Sequence, residues 1–509
     1  MHATLDSLPE EILSAILRTL LALLHPEKPP PWHQASRACG VPLSSTSREL
    51  RVKTLPWVFH ETTIRHSHTW PANLLHYPIK VHLLNGTPAP PHPLLSLMSS
   101  GSFSALTTLT VCLQTVLPVE FFSDVASISL RHLEIYRLRL DAAPPPLDLC
   151  FQQLATLVLC IGGSHGTRRD KGIDRECEWQ NITLLLNCAC KCVEDLSISG
   201  DLLSLHFPEI KWKRLKHFSV TDHPPRSPLS LSALVGGMPL LTTFGLLYTP
   251  HLRARRLPPY SLKHEGNAFD LIPNLVACSL SNIAPEDPVF GYLPTTLECL
   301  HVRALWDIYD PKVRRSRLPY HVHKLLDDLG DCPLPSAGPG TSSVIACKSE
   351  WPMLTTLSLT VSERGPGSDL LPTLIQRTPH LRSLELNYRP GDIERRIFAF
   401  LFIDPWRVLI TLKQFQFLTH LTFGITYDTL EHNPGPPAHA AYDVLVAIPT
   451  LQTVTYRFTG YLDGSIVQPL EYTWGRDMLF LPRPPRRVQR ERSTERTVWS
   501  ELEDSGSDY

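Results

Sequence analysis

The stretch "LVLCIGGSHG" sets Gly162, Ser164 and Gly166 directly behind an apolar run. Gly-x-Ser-x-Gly after a strand is the spacing of a hydrolase nucleophile elbow, in which a sharp turn lifts the serine hydroxyl above the sheet. That turn must feed an apolar helix packed beneath the sheet. Here the charged "TRRDKGIDRE" follows, itself carrying a glycine, and no oxyanion-type motif precedes the serine at a workable distance. The residues read better as a glycine-rich loop at the end of a strand. Such a loop could still touch a partner.

A second chemical grouping is "CACKC", which brings Cys188, Cys190 and Cys192 together, with Cys177 and His165 upstream. Thiolates favour zinc, but zinc wants four ligands at tetrahedral angles. On a helix Cys188 and Cys192 share a face while Cys190 points away. Small apolar thiols also suit a helix–strand junction, so packing is the better reading. The chain has no phosphate-cradling glycine loop ending in Lys-Ser/Thr and no His-Glu-x-x-His. No metal and no cofactor is expected, and no enzyme activity.

The elements that carry these residues follow from composition. A chain of 509 residues has room for about three ordinary domains or one extended repeat array. It is 43% apolar with a formal charge of −1, which gives no overall attraction to nucleic acid or acidic membrane. Its 48 prolines punctuate the whole length and imply many short elements. Twelve scattered cysteines without a signal peptide imply reduced thiols, hence a cytoplasmic or nuclear protein. Sequons at Asn85 and Asn181 then carry no sugar.

The opening "LDSLPEEILSAILRTLLALLHP" predicts a helix. Ser7 can cap it, Pro9 suits its first turn, and Glu10 and Glu11 favour its positive end. Ile12, Leu13, Ile16, Leu17 and Leu20 recur at helical spacing and form one wide apolar face. It is no membrane span: the apolar run carries Arg18 and falls short of the roughly 20 residues a span needs. "LPEEILSAIL" resembles the start of an F-box, with Leu8, Pro9, Glu11, Ile12, Leu13, Ile16 and Leu17 on the pattern. Ser47, Arg48, Leu50, Trp57, Phe59 and Ile64 resemble its second half, beyond the proline-rich "HPEKPPPWHQASRACG". The resemblance implies a helical domain over residues 1–65 that docks on a Skp-family adaptor of a cullin–RING ubiquitin ligase. Leu8, Pro9, Ile12, Leu13, Ile16 and Leu17 would make that contact.

The rest of the chain repeats a Leu-x-x-Leu-x-Leu template. Twelve copies start at Leu106, Leu130, Leu154, Val193, Leu215, Leu241, Leu275, Leu297, Leu354, Leu381, Leu418 and Leu451. Their spacing is irregular, with the widest gap between Leu297 and Leu354. Several are led in by helix-like segments such as "NITLLLNCACKC" and "AAYDVLVAIP". One unit is then helix, turn, short strand, and since no unit buries its own apolar face, units must stack. The pattern resembles the irregular leucine-rich repeats of F-box/leucine-rich-repeat proteins. The expected fold class is α/β: a small N-terminal helical domain, then a degenerate repeat solenoid over 66–480. Inserts are expected near 306–350, with a helix at His321–Leu329, and near 392–416. Residues 481–509, a basic run followed by an acidic one, read as a disordered tail.

The period of two then sorts each strand. Fourth and sixth positions point into the core; third and fifth point to the open face. Those positions give, among others, His132 and Glu134, Asp195, His217, His301 and Glu385, set among small hydroxyls such as Thr356 and Ser358. This surface lacks the Lys/Arg stripe that phosphate binding needs, so a protein is the expected guest rather than nucleic acid. The resemblance implies a ligase substrate receptor joined through the adaptor to a cullin scaffold; the alternative is a repeat scaffold with no ligase link.

Overall fold

The computed structural model describes residues 8–24, 41, 45–65, 74–84, 103–112, 120–136, 140, 150–161, 174–222, 224–225, 229–248, 262–283, 287–303, 350–361, 370–388, 405–427, 438–462, 465–477 and 487–489. They fall into two compact units, one drawn from Met1–Leu159 and Asp174–Val193, the other from Cys160–Ile173 and Glu194–Ser500. Among them no helix is long and apolar enough to cross a membrane. Ser164 and its glycines, the expected helix at His321–Leu329 and Asn85 lie outside the described residues.

The first unit opens with the helix Glu10–Leu24, followed by the helix Arg48–Val58. Ser47 caps the second, its hydroxyl accepting from the Leu50 amide at 3.1 Å. Leu13, Leu50 and Trp57 are buried together with Leu17 against them. Lys53 Nζ donates to the Leu8 carbonyl at 2.7 Å, tying the middle of the second helix to the turn that precedes the first.

The sheet of this unit runs in chain order through β1 (Glu61–Arg65), β2 (Lys80–Leu84), β3 (Thr108–Cys112), β4 (His132–Tyr136) and β5 (Thr156–Cys160). Pairing from β1 to β4 is parallel. Parallel neighbours need a crossover between them, and the helix Glu120–Ser127 supplies one, with Phe121, Phe122 and Val125 buried. The helix Arg175–Ala189 buries Ile182, Leu185, Leu186 and Ala189 at helical spacing. Two of its polar residues are buried too. Asn181 Nδ2 donates to the Leu140 carbonyl at 2.5 Å, while Glu178 accepts from the Leu140 amide at 3.4 Å. The Asn181 amide is thus committed inside the fold, which is incompatible with a glycan on the folded chain.

The second unit continues the same plan through β6 (Asp195–Ser199), β7 (His217–Asp222), β8 (Thr243–Tyr248), β9 (Ala277–Ser281), β10 (Cys299–Arg303), β11 (Thr356–Val361), β12 (Ser383–Tyr388), β13 (His420–Tyr427) and β14 (Thr453–Leu462). Each pairs in parallel with the next. The chain then reverses: β15 (Ser465–Gly475) and β16 (Arg487–Gln489) add antiparallel. A long hairpin laid on the final parallel strand covers backbone groups that would otherwise offer a template to other chains. Part of the residues read as a tail, Arg487–Gln489, is therefore paired backbone. Within the stretch read as an irregular insert, Pro405–Leu412 forms a helix that buries Leu409 and Leu412 and leads into β13.

One backbone device sets the register between successive parallel strands within each unit. There the carbonyl at the second template position accepts two amides, from the second and third positions of the next repeat. His60 receives Ile79 and Lys80, and Thr107 receives Arg131 and His132. In the second unit Glu194 receives Lys216 and His217, and Val276 receives Glu298 and Cys299. Glu298 receives Thr355 and Thr356 at 2.9 and 3.0 Å, across the widest gap between copies, so the insertion leaves the stacking unchanged. Threonines at this position add a side-chain bond to the same carbonyl, as Thr242 does to Lys216 at 3.1 Å and Thr419 to Arg382 at 3.1 Å.

The alternation expected from the template is present. In β4 and β5 the fourth and sixth positions are buried and the third and fifth half-exposed. Leu196, Phe218, Phe244, Cys278, Leu300, Leu357, Leu384, Leu421 and Val454 form one buried row of the second unit, each at the fourth position. Phe207, Phe218, Phe244 and Phe269 make a chain of ring contacts, with centroids 5.6, 6.1 and 6.5 Å apart in turn.

Candidate functional site: the open face of the sheet

Parallel pairing turns the third and fifth positions into straight rows. In the second unit the third-position row runs Asp195, His217, Thr243, Ala277, Cys299, Thr356, Ser383, His420 and Thr453, each the register partner of the one before. The fifth-position row runs Ser197, Ser219, Gly245, Ser279, His301, Ser358, Glu385, Thr422 and Thr455. Small residues dominate, so the few large polar side chains stand out from a low surface. Asp195, His217, His301 and Glu385 all lie on these rows. His217 is exposed and the other three half-buried.

Some of these groups are engaged. His301 Nε2 lies 3.0 Å from Cys299 Sγ. Glu385 is held by Arg457 of β14, whose Nε also donates to Glu471 of β15 at 2.6 Å. Burial alone would lower the Arg457 value, but the bonds to Glu471 and Glu385 outweigh it and raise it. Ser358 accepts from Asn387 Nδ2 at 3.1 Å.

The first unit carries a denser polar group. Glu134 accepts from His132 Nε2 at 2.6 Å and from Thr110 Oγ1 at 3.1 Å, and Tyr136 Oη lies 3.4 Å away. Burial raises the Glu134 value, but the bonds from His132 and Thr110 outweigh it and the carboxyl is held below the usual range. On the neighbouring strands Glu61 lies 3.1 Å from His82 Nε2 and 3.4 Å from Lys80 Nζ. Its carboxyl is lowered to about 2, chiefly by the His82 hydrogen bond against the opposing effect of burial. His82 itself is buried, and its Nδ1 has no partner among the described residues.

The N-terminal residues divide. Leu13 is buried and Leu17 packs against the same cluster, whereas Ile12 and Ile16 are 48% and 37% exposed. Leu8 is half-buried and Pro9 exposed. Ile12 and Ile16, one turn apart, therefore present an outward apolar pair on the helix.

The cysteine group is dispersed by local geometry. The helix ends at Ala189, so Cys192 falls beyond it. Cys190 Sγ donates to the Asn187 carbonyl at 3.1 Å and Cys192 Sγ to the Ala189 carbonyl at 3.2 Å. Among the described residues no three His, Cys, Asp or Glu side chains are grouped to hold a metal ion.

Sequence reasoning missed Glu61, Lys80, His82, Arg457 and Glu471. In the repeat that ends in β2, Pro78 stands where the leading leucine would be, and Val81 replaces the next. Phe59 and Thr62 do the same for β1. Arg457 occupies the seventh position, one step further along the alternation that the template truncates at six. Extending the period of two would have found it.

No family model matches the chain, and neither does any curated protein. Among solved structures, the mouse RP105/MD-1 complex includes a chain similar at 10% identity, covering 76% of this chain and 71% of that one, with a TM-score of 0.24. The stacked α/β repeat is defined by the register and burial of its own strands.

Proposed function

We propose that the chain is a protein-binding repeat scaffold that receives its partner on the open sheet face and does not itself act as an enzyme. The observation that carries this reading is the pair of in-register rows. A surface of hydroxyls and small side chains, interrupted by Asp195, His217, His301, Glu385 and His420, is low enough for another protein's aromatic anchors to seat on it. It has little charge of either sign, so a nucleic acid is a poor fit. A partner found by proximity labelling in cells should lose affinity when Asp195 and His217 are changed together to Ala. His217 is exposed and Asp195 half-buried, so a melting curve of the double variant accompanies the binding assay and shows whether it is folded. Unchanged affinity would remove the second unit's open face from the interface.

A second reading, a substrate receptor of a cullin–RING ubiquitin ligase, draws on the exposed pair Ile12 and Ile16. An apolar pair turned outward on a terminal helix fits docking on a Skp-family adaptor, with the repeats presenting a protein substrate to the cullin-bound machinery. Catalysis would then be proximity alone. This reading places the protein in the cytoplasm or nucleus. Adaptor pull-down with wild type and with the double change Ile12→Asp, Ile16→Asp tests it. Retention by the wild type alone supports the ligase link; no retention of the wild type leaves the scaffold without it.

A further inference from the structure

The period of two separates Cys278 and Cys299 although they lie on paired strands. Cys278 occupies a core position in β9, is fully buried, and its thiol is pushed far above the ordinary range by that burial. Cys299 occupies an open-face position in β10, opposite Ala277 on one side and Thr356 on the other, and is half-buried. His301 is the next residue on that face, and its Nε2 stands 3.0 Å from Cys299 Sγ. The neighbours of His301 in register are Ser279 and Ser358. The thiol therefore has an imidazole beside it and small side chains on both flanking strands.

We propose that Cys299 and His301 form a thiol–imidazole pair that makes Cys299 a nucleophilic modification site for hydroperoxides. Imidazole at hydrogen-bond distance can take the thiol proton, and the thiolate is the reactive form of cysteine. The step balances. The Cys299 proton moves to His301 Nε2. The thiolate attacks one peroxide oxygen, an S–O bond forms and the O–O bond breaks. The leaving hydroxide or alkoxide takes the proton from the imidazolium and departs as water or alcohol. Sulfur is oxidised by two electrons to a sulfenic acid and the hydroperoxide is reduced. Cys278 cannot resolve this product as a disulfide, because it faces the other side of the sheet. A small-molecule thiol from outside the chain can then take up the sulfenic acid. This inference does not depend on the identity of any protein partner.

The test uses the full chain, treated with a small excess of hydrogen peroxide and trapped with dimedone, with each cysteine read by tandem mass spectrometry. Cys299 is expected to be labelled about tenfold faster than the exposed Cys150. His301→Asn should bring it down to the Cys150 rate. A melting curve shows whether that variant is folded. If it is not, iodoacetamide alkylation of the wild type at pH 6 gives the same answer, since ordinary thiols are protonated there. Cys299 should again lead by about tenfold. Equal rates for Cys299 and Cys150, or a folded His301→Asn protein with an unchanged Cys299 rate, would overturn the proposal.

Discussion

Arg457 of β14 reaches over β13 to Glu385 of β12, and at the same time donates to Glu471 of β15. The strand it crosses carries Gly424 at the position in register with Arg457, where a Cβ would come within 2.0 Å of Asn387 Oδ1. One guanidinium thus joins the last parallel strands to the antiparallel hairpin that covers them. Its planar fork satisfies both carboxylates, which a lysine cannot do in the same way. Arg457→Met would leave Glu385 and Glu471 half-buried without it, and should cost about 1–3 kcal/mol in chemical denaturation. Arg457→Lys should recover only part of that loss. A Met variant as stable as the wild type would mean that the hairpin is held by its backbone pairing alone.

The Glu61–His82–Lys80 group predicts an acid limb. The folded-state value of Glu61, about 2, lies below its ordinary 4.5. The folded chain thus binds fewer protons there than the unfolded one, so the stabilisation is complete above 4.5 and is lost as pH falls toward 2. Glu61 is partly exposed, and solvent screening reduces the effect to about 1–2 kcal/mol. Glu61→Gln should flatten the fall in melting temperature between pH 4.5 and 2 relative to wild type. Parallel curves for the two proteins would place the acid sensitivity elsewhere.

Gly237 is required by a close backbone approach. A Cβ there would stand 2.4 Å from the Ile210 carbonyl oxygen, and the Gly237 carbonyl accepts from the Trp212 amide at 3.0 Å. Neither backbone can yield without losing that bond. Gly237→Ala should destabilise by about 1–3 kcal/mol, measured by denaturant titration. Gly291→Ala, where a Cβ meets nothing within 4 Å, is the control and should be near neutral.

The outward pair on the first helix gives an opposite expectation. Ile12→Asp with Ile16→Asp changes two exposed residues, so the melting temperature should barely move. Leu13→Ala, one residue along, removes a buried side chain from the cluster with Leu50 and Trp57 and should cost about 2–5 kcal/mol. If the Asp pair also unfolds the first unit, the helix is packed on both sides and offers no docking face.

The repeat strands were legible because their leucines fall on the buried positions of a period-two pattern, and Leu300, Leu357 and Leu384 are buried as that pattern requires. β1 and β2 were not, because Phe59, Thr62, Pro78 and Val81 fill the same buried positions with other residue types. What defines those repeats is the double acceptance at the His60 carbonyl, and a backbone bond leaves no trace in side-chain type. The closing hairpin was hidden for a different reason: its strands run antiparallel and do not use the template. At the site, Asp195, His217, His301 and Glu385 could be placed on the open face from alternation alone. Their contacts could not, since Arg457 reaches Glu385 from a strand two places away.

A protein partner seated on the open face of the second unit, as proposed, would be within reach of side chains on that face and not of those on the outer helices. Site-specific photo-crosslinking tests this most directly, with a benzophenone amino acid placed singly at His217 and Thr243 on the open face, at Ile410 on the exposed side of the helix Pro405–Leu412 and at Val446 on that of the helix Ala438–Ala447. Positions 217 and 243 are expected to capture the same protein in cells while 410 and 446 do not. Capture of one common protein from 410 and 446, with none from 217 or 243, would contradict it.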